Sequence, residues 1–92
     1  EPGYYKAGSF GIRIENLMFV EDTGEGELKY KFNTVSLTPI DLRLVDPALL
    51  DADEIKWLND YHRQVFDRLS PHLDAAEKAW LKRETRPLPP RP

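Results

Sequence analysis

The spacing of apolar residues changes near residue 40 and divides the chain into a strand-like first part and a helical second part. In the first part, Ile12 to Val20 is rich in Ile, Leu, Phe and Val, the composition of a strand. Residues 28 to 37 then alternate, with Leu28, Tyr30 and Phe32 on one side and Lys29, Lys31 and Asn33 on the other. That is the two-residue period of a half-buried strand. Asp22-Thr23-Gly24-Glu25-Gly26 lies between the two runs, so they are expected to form a hairpin around a glycine-rich loop. Upstream, Pro2-Gly3 reads as a turn, and Gly8 and Gly11 punctuate the approach to the Ile12 run.

Pro39 and Pro47 bracket a connector, Ile40 to Asp46. Beyond it Ile55, Leu58, His62, Val65, Phe66 and Leu69 recur at three- and four-residue spacing, one face of an amphipathic helix. Asp51 followed by Glu54 is a capping box in its Asp form and marks the helix start. Ser70-Pro71 ends it, because proline cannot continue the hydrogen-bond ladder. Asp74 with Glu77 repeats the start signal and predicts a shorter helix carrying Ala76, Ala79, Trp80 and Leu81. From Thr85 on the chain is proline-rich, Arg86-Pro87-Leu88-Pro89-Pro90-Arg91-Pro92, and is expected to be extended and mobile. No internal repeat is present. The pattern predicts an α+β chain.

Ninety-two residues make one domain at most, with a limited core. The net charge of -3 and pI of about 5.3 argue against a nucleic-acid partner, whose binders carry a basic patch or stripe. Charged residues are 32% of the chain with both signs interspersed, as on a solvated surface. With no cysteine, disulfides and thiolate chemistry are excluded. No apolar run approaches the roughly 20 residues that span a bilayer, so no membrane partner is expected.

The candidate chemistry lies in the first fifteen residues, where Glu1 and Glu15 flank a glycine-punctuated stretch. In a strand, Arg13 and Glu15 point the same way, opposite to Ile12 and Ile14. An arginine beside a carboxylate in a partly buried site holds it ionised and oriented, as partners of metal ligands do. Two carboxylates brought together without a cation repel until one takes up a proton, whereas a dication between them keeps both charged. The plainer alternative is that both are solvated surface groups and that Arg13–Glu15 is a modest salt bridge. Spacing alone leaves both readings open.

The wording of the segment goes further. Glu1-Pro2-Gly3-Tyr4-Tyr5, a short glycine-containing insert and then Phe10-Gly11-Ile12-Arg13-Ile14-Glu15-Asn16 resemble the closing motif of the aminopeptidase P (Xaa-Pro aminopeptidase) family, metallopeptidases of the pita-bread fold. The resemblance continues through Leu37-Thr38-Pro39-Ile40-Asp41, through Trp57-Leu58-Asn59 with Tyr61-His62, and through Trp80-Leu81 with Arg83-Glu84-Thr85 and Pro87. It implies a cytoplasmic hydrolase that removes the N-terminal residue of a peptide when proline is second. It also implies two divalent ions, manganese as a rule. By residue-level match Glu1 and Glu15 are metal ligands, with Glu15 the bridging one. Arg13 and Tyr5 match residues just behind the ligands, Tyr5 as a hydrogen-bond partner of a ligand carboxylate. All-oxygen and imidazole donors suit such an ion.

The same resemblance gives a domain plan. Residues 1–40 are expected to be the end of a pita-bread catalytic domain, 41–86 a helical C-terminal extension and 87–92 a proline-rich mobile tail. The chain opens on a candidate ligand, lacks an initiator Met and carries no candidates for the remaining Asp and His ligands. It is therefore expected to be the C-terminal piece of a longer, dimeric enzyme, and alone to be inactive, without tightly bound manganese, and self-associating. A freestanding self-association module without catalysis is the alternative.

Several further residues have plainer readings. His62, on the apolar helix face, is expected to pack rather than to ligate, and His72 to lie on the surface. Trp57 and Trp80 read as helix-packing anchors, with a subunit contact as the family-based alternative. Glu21, Asp22, Glu25 and Glu27 form a solvated hairpin tip rather than a calcium loop. The proline tail fits a polyproline ligand of SH3-type domains, but a plain terminus is the simpler expectation.

Overall fold

A computed structural model describes residues 1–27 and 29–89. Leu28, and the Pro90-Arg91-Pro92 end of the expected tail, lie outside the described residues. The chain divides into two compact units, Glu1–Ser36 and a second from Leu37 on. The α+β expectation is met: two small antiparallel sheets are followed by helices.

In the first unit β1 (Gly3–Lys6) and β2 (Phe10–Arg13) form one hairpin, and β3 (Met18–Asp22) and β4 (Tyr30–Thr34) another. The first was read differently from sequence. Pro2-Gly3 is not a turn, because Gly3 opens β1 and pairs with Arg13. The reversal lies at Ala7–Ser9, where Gly8 takes φ +69° and the Ser9 N–H bonds the Lys6 carbonyl at 3.1 Å. Proline fits before β1 because only its carbonyl is used, accepting from the Ile14 N–H at 3.0 Å. The apolar run Ile12 to Val20 is not one strand. It breaks between Arg13 and Met18, since its first part pairs back to β1 and its second forward to β4.

The second hairpin follows the expected alternation. Val20 pairs with Phe32 and Asp22 with Tyr30 on one face, and Glu21 pairs with Lys31 on the other. Glu21 there accepts from Asn33 Nδ2 at 3.1 Å and lies 3.8 Å from Lys31 Nζ. The loop is closed by Thr23, whose hydroxyl donates to the Lys29 carbonyl at 2.9 Å, and by Asp22, which accepts from the Gly24 N–H.

The second unit is built on α1 (Ala52–Leu69) and α2 (Ala75–Glu84). Both predicted capping boxes are present: Asp51 and Glu54, and Asp74 and Glu77, exchange side-chain bonds with each other's backbone N–H at 2.8–2.9 Å. Short 3-10 turns at Leu42–Leu44, Pro47–Leu49 and Ser70–His72 connect the parts. The core is Tyr61, Val65 and Leu81, with Leu37, Ile40, Phe66, Leu69 and Leu73 packed against it. The extended segment 37–40 is fixed to α1 by side chains. The Tyr61 hydroxyl accepts from the Thr38 N–H at 3.2 Å and donates to the Thr38 carbonyl at 2.8 Å, and His62 Nε2 accepts from the Ile40 N–H at 2.9 Å. The compact division therefore falls at residue 36, ahead of the expected boundary at 40. Leu88, inside the expected tail, is held by Asn59, which donates to its carbonyl at 3.0 Å and accepts from its N–H at 2.8 Å.

Candidate metal centre

The β1–β2 register places two of the four candidate residues, Tyr5 and Arg13, on one side of a hairpin. Tyr5 lies opposite Gly11 and Gly3 opposite Arg13. The bond from the Ile14 N–H to the Pro2 carbonyl carries the same register one step beyond the strands. Glu1 and Glu15 lie outside the paired strands, each one residue beyond that bond. Residues directly opposite in an antiparallel pair share a face, with Cβ atoms about 4.5–5.5 Å apart. The opposite face carries Tyr4, Ile12 and Phe10 beside Lys6: Tyr4 pairs with Ile12 and Lys6 with Phe10, and the Tyr4 and Phe10 rings are 6.0 Å apart.

On the candidate face the polar groups are linked. Arg13 Nε donates to the Tyr5 hydroxyl at 3.0 Å, and Arg13 Nη1 is 3.6 Å from Glu15 Oε2. Tyr5 thus engages the guanidinium beside Glu15, where the family resemblance implied a bond to a ligand carboxylate. The ring reaches Arg13 by lying over two positions without side chains. A Cβ at Gly11 would be 2.7 Å from Tyr5 Cδ1, and one at Gly3 would be 2.9 Å from the Tyr5 hydroxyl.

The donor set fits a hard dication in kind, since it is two carboxylates. It does not fill a coordination shell. Among the described residues no group of three or more His, Cys, Asp and Glu is placed to hold a metal ion. His62 is fully buried with Nε2 engaged by Ile40, and its role is packing. Burial pushes its pKa down, with the Arg86 charge adding to the effect. His72 is exposed on the turn after α1. Elsewhere, Arg43 grips Asp41 through two nitrogens at 2.7–3.0 Å, and that hydrogen bonding pulls the Asp41 carboxyl down to about 2.

Reading the sequence missed three features: the bare lane under Tyr5, the Asn59–Leu88 clamp, and the stacking of Trp57 on Tyr61 at 5.3 Å and 4°. The lane alone had a usable signal, a glycine inside a β-branched run where no turn is needed.

Residues 29–88 match the family described as the C-terminal region of peptidase M24. The chain is 45% identical to aminopeptidase P1 of Lotus japonicus and 44% identical to a probable Xaa-Pro aminopeptidase P of Coprinopsis cinerea, in each case over 96% of its own length. It spans only 14% and 15% of those relatives. It also superposes on the X-prolyl aminopeptidase of Caenorhabditis elegans, described as a cytosolic enzyme with a di-nuclear active site. The TM-score is 0.81 at 34% identity, covering 95% of this chain and 15% of that one. That likeness carries the pita-bread assignment expected from sequence. Taken with the match over residues 29–88, it means that the chain belongs to the peptidase M24 C-terminal-region family and corresponds to the end of Xaa-Pro aminopeptidases.

Proposed function

We propose that this chain is the C-terminal part of a dinuclear-metal aminopeptidase that releases the N-terminal residue from peptides with proline in second position. The observation that supports the reading is the Tyr5–Arg13–Glu15 linkage on one face of the hairpin, whose register, continued two residues past β1, would bring Glu1 opposite Glu15. Glu1 and Glu15 would hold metal, with the remaining ligands coming from elsewhere in the enzyme. When bound, paired divalent ions supply an activated water and stabilise charge on the attacked carbonyl oxygen. Arg13 would orient Glu15, and Tyr5 keeps Arg13 from swinging away.

Three finer points belong to the same reading. The metal is manganese, which hard oxygen donors suit. The compartment is the cytoplasm, as described for the nematode relative. The enzyme is a dimer, which the half-exposed Trp57 and Trp80 favour as contact residues.

The test is Glu15→Gln in the full-length enzyme. Removing one charged ligand oxygen is expected to weaken manganese binding to the metal-free protein and to abolish turnover of an Xaa-Pro dipeptide, with folding intact by circular dichroism. Unchanged binding and turnover would refute the reading. The 92-residue chain alone is expected to show no turnover on the same substrate.

A further inference from the structure

We infer that Gly11, together with Gly3, is a positioning residue: its missing side chain keeps open the lane in which Tyr5 crosses the hairpin to hold Arg13, and through Arg13 the carboxylate of Glu15. The inference rests on the metal-site reading above and extends it to residues with no polar atom of their own.

Gly11 sits inside β2, directly opposite Tyr5. Its backbone does not need glycine, because the described residues with positive φ are Gly8, Gly24 and Gly26. Within a strand, glycine is a cost: it loses more chain entropy on folding and packs nothing. Its cause must therefore be a neighbour. A Cβ at position 11 would stand 2.7 Å from Tyr5 Cδ1 and 3.1 Å from Cε1, and next would meet only the Tyr4 carbonyl at an ordinary 3.8 Å. The Tyr5 ring alone excludes it.

Gly3 continues the lane toward Arg13. A Cβ there would be 2.9 Å from the Tyr5 hydroxyl and 3.1 Å from Cε2, but also 2.9 Å from the Ile12 carbonyl. Position 3 is therefore closed by backbone as well as by the ring, and position 11 is the clean probe. A methyl group at 11 lifts the ring near its root. The hydroxyl at its far end swings furthest, and the 3.0 Å bond to Arg13 Nε opens. Arg13 is then free to leave Glu15, 3.6 Å away.

The experiment compares Gly11→Ala, Tyr5→Phe and their combination in the full-length enzyme. Manganese chloride is titrated into metal-free protein by calorimetry, and the melting temperature is recorded alongside. Each single change is expected to weaken manganese binding about 10-fold or more, the range seen when a partner behind a metal ligand is lost. The double variant is expected to bind no more weakly than Tyr5→Phe, because the bond to Arg13 is already gone. Unchanged binding in Gly11→Ala, or losses that multiply in the double variant, would overturn the inference.

Tyr5→Ala/Gly11→Ala covers the case in which Gly11→Ala does not fold. Its added methyl meets no ring, so folding and melting temperature return to those of Tyr5→Ala, and a failure to recover also overturns the inference. Glu15→Gln separates the two levels. If that variant binds manganese normally, the metal-site reading fails, while the melting pair still decides whether Gly11 is bare for the sake of the ring.

Discussion

Tyr61 ties the segment before α1 to the helix core through one hydroxyl that both donates to and accepts from Thr38. Tyr61→Phe keeps the ring against Trp57 but strands both backbone groups, so it is expected to cost about 1–2 kcal/mol in urea denaturation. His62 makes stability depend on pH. Its neutral ring accepts at Nε2, so the proton sits on Nδ1, for which the described residues offer no partner. Protonation would set a second N–H against that of Ile40. Because the folded pKa is depressed, the unfolded chain takes up the proton first. His62's contribution is then full above its ordinary value of 6.5 and is lost as pH falls below that, toward the folded pKa. His62→Gln is expected to lower the whole stability curve but to remove this limb in a denaturation series from pH 8 to 5. Asp41 acts lower, with its contribution present above 3.8 and lost as pH falls toward about 2. At residue scale the Tyr5 and Arg13 face was legible in sequence, because both sit in a distinctive string of residues with strand alternation. The lane beneath Tyr5 was not, because a glycine is first read as punctuation and its neighbour across the hairpin appears only once the register is known.

The helices were readable and the first hairpin less so, for a physical reason. A capping box is a local arrangement, complete within four residues, and both boxes form as the sequence implies. The break between β2 and β3 is set by which partner each run finds, and continuous apolar composition from Ile12 to Val20 cannot encode that. The caps also separate the two helices in stability. Asp51→Ala is expected to cost about 1 kcal/mol, with α1 persisting on its buried Ile55, Leu58, Tyr61, His62 and Val65. In α2, ten residues long with Leu81 its one buried residue, Asp74→Ala is expected to fray the first turn. Hydrogen exchange would show this as faster exchange of amides 75–78 while α1 amides stay protected; equal loosening of both helices would contradict it.

For the molecule as a whole, the first unit displays much apolar surface for its size. Phe32 is 71% exposed, and Phe19, Val20, Ile12 and Phe10 are each near half or more. Two-stranded ribbons are marginal in water by themselves, and their free edges invite pairing. The 92-residue chain is therefore expected to self-associate, with a sedimentation coefficient that rises across a concentration series; a constant monomer value would count against it. At the other end, Asn59 grips Leu88 entirely through main-chain atoms, an N–H and a carbonyl that every residue but proline possesses. The clamp itself therefore does not read the side chain, and proline alone could not make both bonds. Between Pro87 and Pro89, where the composition runs to proline, position 88 is thus the place where a further proline would cost a bond to the helix.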